Sequence, residues 1–223
     1  MTRTTLPVLP AAPSTLQTAR LLLRPFSTSD LPHYIILRRQ PEVMKWTSTM
    51  RCDATITQTQ EWMARFLPCE NPNTFPFSIE ELENPGVVIG SAGCNCLPGK
   101  QPELGYMLIK EMWGKGYATE AVRVVLEAYW GLQRKEVEVQ VEAEMQNEGR
   151  GAEQELDKDG KAWAVDKDAA GLQVEKLEAV VDATNTASRK VLEKFGFVKT
   201  REYQDENTGG TECVLYVLRR PGS

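Results

Sequence analysis

Histidine, long apolar runs and positive charge are all scarce in this sequence. His33 is its one histidine, so neither a histidine-based catalytic triad nor a histidine-rich metal site is expected. No apolar run approaches the roughly 20 residues that a membrane-spanning helix requires, and we therefore expect no membrane partner. Lys and Arg total 26 against 31 Asp and Glu, which gives a net charge of −5. A chain with this balance lacks the basic surface that an obligatory nucleic-acid partner would require.

Cysteine is also scarce, and its five residues cannot all pair with one another. The first twenty residues contain no apolar segment of the kind that directs export, so we expect free thiols and a cytoplasmic location. Cys94 and Cys96 alternate along one segment and would share the face of a strand. No further Cys or His pair completes a four-ligand zinc site, so we predict buried thiols and no metal.

The composition predicts one folded domain with two solvated segments. Hydrophobic residues make up 41% and charged residues 26% of the chain, values typical of a globular protein. Residues 1–15 are rich in proline and predict a flexible leader, which leaves residues 16–220 for the domain. Residues 142–175 hold ten acidic and four basic side chains, so this segment carries −6 and the rest of the chain +1. We expect an acidic, mobile insertion at about residues 146–173, with an electrostatic lid as the alternative.

Hydrophobic periodicity predicts a series of strands, with helices between and after them. Apolar runs and alternating apolar positions predict strands at residues 19–25, 75–80, 87–94, 103–109, 137–145, 176–183 and 213–218. Apolar positions three and four residues apart predict helices at about residues 28–39, 54–67, 118–132 and 186–195. This order predicts an α/β (α+β) fold, in which a mixed, mainly antiparallel sheet of six to seven strands has helices on both faces.

The segment 113–121 carries the most informative pattern. It reads Trp-Gly-Lys-Gly-Tyr-Ala-Thr-Glu-Ala and joins a predicted strand to the N-terminus of a predicted helix. Gly114 and Gly116 let the backbone turn its N–H groups towards one point, where the helix dipole adds partial positive charge. Such a loop binds a pyrophosphate, although a tight turn without a ligand uses the same glycines. The segment lacks the Gly-Lys-Ser/Thr of a P-loop and the third glycine of a dinucleotide-binding motif.

Three blocks within residues 19–219 resemble the GNAT superfamily of N-acetyltransferases, in the branch similar to RimJ and RimL. The blocks are residues 21–26 (Leu-Leu-Leu-Arg-Pro-Phe), residues 103–106 (Glu-Leu-Gly-Tyr) running into the loop at 113–121, and residues 185–188 (Asn-Thr-Ala-Ser) with residues 191–197 (Val-Leu-Glu-Lys-Phe-Gly-Phe). The family's usual pyrophosphate motif begins with Gln or Arg at the position of Trp113. This departure is common in the branch, because backbone amides provide most of the phosphate contacts.

The resemblance implies an N-acetyltransferase with acetyl-CoA as its co-substrate and no metal. The pantetheine arm would pair with the backbone of residues 107–109 as an added strand, and the amides of residues 114–119 would hold the pyrophosphate. The contacts that the resemblance assigns to acetyl-CoA are those of Met107, Leu108, Ile109, Trp113, Gly114, Lys115, Gly116, Tyr117, Ala118, Thr119 and Asn185. Three of these have alternative roles: Lys115 as a solvated loop residue, Thr119 as a first-turn helix residue and Asn185 as a helix N-cap.

Glu103 and Ser188 are the predicted catalytic residues. An alkyl ammonium group has a pKa of about 10 and must lose a proton before it attacks, so Glu103 would accept that proton directly or through water. The resemblance implies that Ser188 donates a proton to the departing CoA thiolate. Glu120 is a weaker candidate for the base, since its position also suits an acid that offsets the helix dipole. The backbone N–H of Met107 is expected to hold the oxyanion.

The sequence leaves the acceptor open. Trp46, Trp62 and Tyr106 are expected either in an acceptor pocket near the first two helices or in the core. The acceptor is a primary amine, either a protein N-terminus or a small molecule, and the protein acts as a monomer or homodimer. A non-catalytic acyl-CoA-binding sensor or interaction module on the same fold is the alternative from another class. A nucleotide-binding α/β protein is a third, disfavoured by the missing motifs.

Overall fold

The computed structural model describes residues 2–67, 70–98, 100–139 and 174–221. The strands are β1 (Thr2–Pro7), β2 (Leu16–Gln17), β3 (Leu21–Arg24), β4 (Thr74–Glu81), β5 (Val88–Asn95), β6 (Glu103–Leu108), β7 (Arg134–Val139), β8 (Lys176–Asp182), β9 (Val198–Asp205) and β10 (Thr211–Arg219). The α-helices are α1 (Leu31–Arg38), α2 (Pro41–Met44), α3 (Ile56–Ala64), α4 (Tyr117–Gly131) and α5 (Thr186–Lys194).

The central sheet has eight strands in the order β2-β3-β4-β5-β6-β8-β10-β9. Every neighbouring pair is antiparallel except β6 and β8, which are parallel. The predicted mixed, mainly antiparallel sheet is therefore confirmed, with more strands than the six to seven expected. The sequence analysis did not predict β2, which has two residues, or β9, whose side chains are mostly exposed at the edge of the sheet.

Two apolar clusters cover the two faces of this sheet. Successive residues of a strand point to opposite faces, and in β6 Leu104 and Leu108 belong to one cluster whereas Met107 packs against the other. The first cluster includes the buried side of α4, and the second includes Tyr34 of α1 and Trp62 of α3. The expected helices on both faces are thus present.

The N-terminal segment differs from the expected flexible leader. Thr2–Pro7 form β1, which pairs with β7 in a separate two-stranded antiparallel sheet. Threonine favours extended structure, and the Thr5 hydroxyl lies 3.3 Å from a carboxylate oxygen of the buried Glu175.

Of the strand predicted at residues 137–145, residues 140–145 lie outside the described residues. The predicted acidic insertion at 146–173 lies outside them as well.

The sheet opens between its two parallel strands. β6 and β8 pair at Glu103 and Glu178, where the Glu178 N–H donates to the Pro102 carbonyl at 2.8 Å. Across the described part of both strands there is no further β6–β8 pair. The strands therefore diverge towards their C-terminal ends and leave a gap in the middle of the sheet.

Candidate active site

A cleft of about 770 Å³ lies over the diverging strands. Its floor crosses three neighbouring strands at Pro76, Gly93 and Gly105, which stand opposite one another in register. Residues from α1, α3 and the loop that follows α2 form one wall, and residues from β8, α5, β9 and β10 form the other. The cleft brings together Glu103, Met107, Asn185 and Ser188 of the predicted site residues, and Trp46, Trp62 and Tyr106 of the predicted pocket residues.

The backbone of β6 alternates between the neighbouring strand and the gap. The Ile109 N–H donates to the Ile89 carbonyl of β5 at 2.9 Å, and a Cβ built on Gly90 would lie 2.2 Å from the Met107 carbonyl oxygen. Met107 and Ile109 therefore direct their backbone groups to β5. Because neighbouring residues point the opposite way, Tyr106 and Leu108 direct theirs to the gap.

This alternation corrects two of the sequence expectations. The backbone groups of Met107 and Ile109 face β5, so neither the expected pantetheine contacts at these residues nor the expected oxyanion contact at the Met107 N–H matches the geometry. The backbone groups of Leu108 face the gap, as an added strand would require, and so do those of Tyr106. The sequence does not fix which residues of a strand face which neighbour. Trp113 closes this end of the strand, since its indole N–H donates to the Leu108 carbonyl at 2.9 Å.

Both glycines of the loop before α4 have a left-handed backbone conformation. Gly114 has φ +73° and Gly116 has φ +83°, in the left-handed region that favours glycine. Gly116 is the N-cap of α4, and the Glu120 N–H donates to its carbonyl at 3.1 Å as the first helical hydrogen bond. The N–H groups of residues 117–119 precede this bond, so they have no acceptor within the helix.

Arg20 holds this loop against the β2–β3 turn, and the sequence analysis did not identify it. Its Nη1 donates to the Lys115 carbonyl at 3.1 Å, and its Nε donates to Glu120 at 2.8 Å. The guanidinium carbon lies 4.5 Å from the centroid of the Tyr117 ring. Arg20 therefore contacts residues on both sides of Gly116, just before the first block of the family resemblance.

Glu120 forms an ion pair with Arg20 and is not suited to act as a base. Its carboxylate accepts hydrogen bonds from the Thr18 hydroxyl at 2.5 Å and from the Arg20 backbone N–H at 3.1 Å, in addition to the guanidinium. Burial raises the pKa of Glu120, but these hydrogen bonds outweigh it and hold the pKa below its ordinary value. A carboxylate with a lowered pKa is a poor proton acceptor at neutral pH.

The environment of Glu103 differs from that of Glu120, because it raises the pKa of the carboxyl group. Glu103 begins β6 opposite Asn95 of β5 and lines the cleft with a solvent-accessible side chain. Desolvation by the cleft walls raises the pKa of Glu103, and the nearby charge of Lys100 offsets part of that effect. Within the described part of the chain, no hydrogen bond or ion pair engages its carboxylate. Glu103 is therefore available as a proton acceptor.

Tyr106 and Ser188 form a hydroxyl pair on the other face of the sheet. The Tyr106 hydroxyl lies 2.6 Å from Ser188 Oγ and donates to the Ser188 carbonyl at 3.1 Å. Burial raises the pKa of Tyr106 to about 12, so the phenol stays protonated at neutral pH. Asn185 positions Ser188, because its side-chain oxygen accepts from the Ser188 N–H at 3.1 Å as the N-cap of α5.

The predictions about the cysteines have mixed outcomes. In the described residues the four cysteines Cys52, Cys94, Cys96 and Cys213 are free; Cys94 is buried as predicted, whereas Cys96 is only half-buried. Burial raises the pKa of Cys96 to about 11. Within the same residues no group of three or more His, Cys, Asp or Glu side chains is arranged to hold a metal ion. None of the helices described there is long and apolar enough to cross a membrane.

Comparison with known proteins decides between the possible families for this arrangement. A family model described as "Acetyltransferase (GNAT) domain" matches residues 20–198. The chain belongs to the GNAT acetyltransferase family. The resemblance of the three sequence blocks to the GNAT superfamily is thereby confirmed, and the general reaction of this family is transfer of an acetyl group from acetyl-CoA to an amine.

Individual relatives of this GNAT protein agree with the family match. Uncharacterized N-acetyltransferase p20 from Bacillus licheniformis is 31% identical over 135 residues, which cover 58% of this chain and 74% of the relative. The fold is similar to a ribosomal-protein-S5-alanine acetyltransferase from Vibrio fischeri (TM-score 0.62, 17% identity, 94% of this chain and 98% of that chain). It is also similar to Mycobacterium smegmatis RimJ in complex with CoA-disulfide (TM-score 0.61, 18% identity, 95% and 90%). At these identities the two structures establish a shared fold alone.

Proposed function

We propose that this GNAT protein transfers the acetyl group of acetyl-CoA to a primary amine bound in the cleft. One observation carries the proposal: Glu103 and the Tyr106–Ser188 hydroxyl pair line the same cleft from opposite faces of the sheet, at the gap between β6 and β8. A proton acceptor and a hydrogen-bond donor thus flank the place where two strands separate. Direct transfer from acetyl-CoA to the amine needs no covalent intermediate on the protein.

The residues around the gap fit acetyl-CoA, which supplies the acetyl group as a thioester. The gap-facing backbone groups of Tyr106 and the Leu108 N–H suit an extended arm, which would pair with β6 as an added strand does; the Leu108 carbonyl already accepts the Trp113 indole N–H. The amides of residues 114–119 and the N-terminus of α4 suit the pyrophosphate, with Lys115 and the Thr119 hydroxyl at the same loop. Asn185 would hold Ser188 against the arm.

Glu103 would accept the proton that the acceptor ammonium must lose. The raised pKa of its carboxyl brings it closer to that of the ammonium group, which makes proton transfer less unfavourable. Tyr106 and Ser188 would donate a hydrogen bond to the sulfur as it leaves, and the proton that the thiolate takes would pass through the same pair. The protonated state of Tyr106 at neutral pH supports this role.

Glu103→Gln tests the proposal, because it keeps the shape of the side chain and removes its proton-accepting charge. We expect kcat for thiol release with a primary amine to fall about a hundredfold or more, while the Kd for CoA stays unchanged. Glu127→Gln is the matched control, since Glu127 is exposed on α4 outside the cleft. Equal turnover by Glu103→Gln and the control would exclude Glu103 as the base.

The pH profile gives a second readout of the same residue. The base acts in its deprotonated form, so kcat/KM falls as the pH drops through its pKa, and a raised pKa moves this acidic limb upwards. We expect the limb in the wild type to lie above the usual range of a glutamate and to disappear in Glu103→Gln. A sensor on the same fold would bind CoA but show no turnover in either protein.

The acceptor, oligomeric state and location are parts of the same proposal. A protein N-terminus or a small-molecule primary amine fits an open cleft, and the Vibrio fischeri structure of similar fold is named for a ribosomal-protein alanine. We propose a monomer or homodimer in the cytoplasm, where the free thiols of the described cysteines would stay reduced.

A further inference from the structure

We infer that the acceptor carries a carboxylate close to its primary amine, and that the Arg65 guanidinium binds this carboxylate in the wall of the cleft. The inference rests on the proposed function, since it assigns Glu103 to the amine of the same acceptor. It follows from the way in which the charged side chains of the cleft are paired.

The two arginines that line the cleft, Arg38 and Arg65, differ in whether a carboxylate of the protein neutralises them. Arg38 is buried in the wall and forms an ion pair with Asp53 at 2.6 Å, and the same carboxylate accepts the Thr59 hydroxyl at 2.8 Å. Arg65, which follows α3, lines the cleft beside it. Its Nε is 3.5 Å from the Trp62 carbonyl, and its guanidinium carbon is 5.6 Å from the centroid of the Phe66 ring. Across the residues described, no carboxylate lies within ion-pair distance of Arg65.

The environment of Arg65 favours the arrival of an anion. Surrounding protein atoms desolvate the guanidinium, and the neighbouring positive charge of Arg38 adds to this effect; together they lower the pKa of Arg65. Lys45 stands on the same wall, with its Nζ 4.3 Å from the centroid of the Trp46 ring. A carboxylate bound here would offset positive charge that the protein leaves unpaired, and the fork of an arginine matches its two oxygens.

The acidic side chains of the cleft leave the amine to Glu103. Two further acidic residues, Asp182 and Asp205, line the cleft. The Asp182 carboxylate accepts the Thr184 N–H at 2.7 Å and the Thr184 hydroxyl at 2.6 Å at the start of α5, and Asp205 on β9 interacts with a partner as well. The floor of the cleft that Glu103 and Arg65 both line includes Gly93 and Gly105, which have no side chains to obstruct a ligand. An acceptor that carries both an amine and a carboxylate therefore fits the cleft, with its amine at Glu103 and its carboxylate at Arg65.

Two sources supply such a molecule, and the experiment separates them. The carboxylate belongs either to an acidic side chain near the N-terminus of a peptide or to the α-carboxyl of a free amino acid. We would compare the peptides Ala-Asp and Ala-Asn, each with a blocked C-terminus, and free amino acids with their amides. The measurement is kcat/KM for CoA release at saturating acetyl-CoA.

In the wild type we expect the carboxylate-bearing member of a pair to be preferred by about tenfold or more, as charge-assisted hydrogen bonds allow. Arg65→Gln should abolish this preference by raising KM for that acceptor, without changing kcat/KM for its neutral counterpart or the Kd for CoA. Arg65→Lys should retain part of the preference. Arg39→Gln, at an exposed position of the chain outside the cleft, is the control.

Three results would overturn the inference. The first is turnover of amines by the wild type without a preference for a carboxylate, which would leave the proposed function standing. The second is an equal loss for both members of a pair in Arg65→Gln while its CoA binding and unfolding midpoint match the control. The third is the absence of turnover with every amine, which would overturn the proposed function together with the inference.

Discussion

Arg20 shows how one side chain fixes the shape of the glycine loop. Glycines at positive φ permit the turn at residues 114–116 but do not select it, because glycine populates many other conformations. The guanidinium selects it by joining the Lys115 carbonyl to the Glu120 carboxylate at the first turn of α4. We interpret Arg20 as a positioning residue for the backbone amides that would hold the pyrophosphate.

Arg20→Gln should therefore weaken CoA binding without changing the chemistry of acetyl transfer. The ion pair is partly exposed, with 48% of the Arg20 side chain accessible, so its loss should raise the Kd for CoA about threefold to tenfold. Calorimetric titration with CoA measures this change, with Arg39→Gln as the control. kcat at saturating acetyl-CoA should stay within about twofold of the wild type. An unchanged Kd would contradict the role of Arg20.

At the same scale, the sequence could identify residue types but not their partners. Local patterns singled out the glycines of the loop and Glu103, and the family resemblance singled out Ser188. The pairing of Tyr106 with Ser188 joins residues 82 positions apart, and that of Arg20 with Glu120 joins residues 100 apart. Such contacts depend on how the strands are arranged, so no local pattern in the sequence predicts them.

β5 and β6 contribute Gly93 and Gly105 to the floor of the cleft, and the space around these two glycines differs. A Cβ on Gly93 would lie 2.5 Å from the Phe75 carbonyl oxygen and from Pro76 Cα, whereas a Cβ on Gly105 would meet nothing within 4 Å. Gly93 is required by the close approach of β4. Gly105 leaves open space at the surface of the cleft.

The two glycines form a matched pair of test positions. We expect Gly93→Val to lower the free energy of unfolding by about 2 kcal/mol or more, since backbone atoms must move to accept the side chain. Gly105→Val should keep the unfolding midpoint and the Kd for CoA and should raise KM for the amine, because the new side chain fills acceptor space. Thermal unfolding and steady-state kinetics measure these effects. Unchanged amine kinetics in Gly105→Val would show that the acceptor does not cross this floor.

Elements with strong apolar periodicity were the predictable ones. α4 buries Ala121, Val122 and Val125 on one side, as its spacing indicated, and β4 and β5 lie where two strands were predicted and pair antiparallel. β9 was missed because Lys199, Arg201 and Glu202 leave it without a continuous apolar face. β1 was missed because its partner β7 lies more than a hundred residues away in the chain.

The whole molecule separates two tasks on the two faces of one sheet. Trp46, Trp62 and Arg65 line the part of the cleft on one face of the sheet, whereas the Tyr106 hydroxyl contacts Ser188 of α5 on the other face. In the part of the chain that the structure describes, the gap where β6 and β8 diverge connects the two faces of the sheet. In the proposed mechanism the amine and the thioester meet at this gap, each reaching it from its own face.

The central claim is that this gap and the glycine loop bind acetyl-CoA, and thermal unfolding with candidate ligands tests it most directly. A ligand that binds only the folded state stabilises it by about 2.7 kcal/mol at a hundred times its Kd. We expect acetyl-CoA and CoA to raise the unfolding midpoint, ATP and NAD to leave it unchanged, and Gly116→Val to reduce the rise. A cooperative transition that neither acetyl-CoA nor CoA moves would contradict the claim.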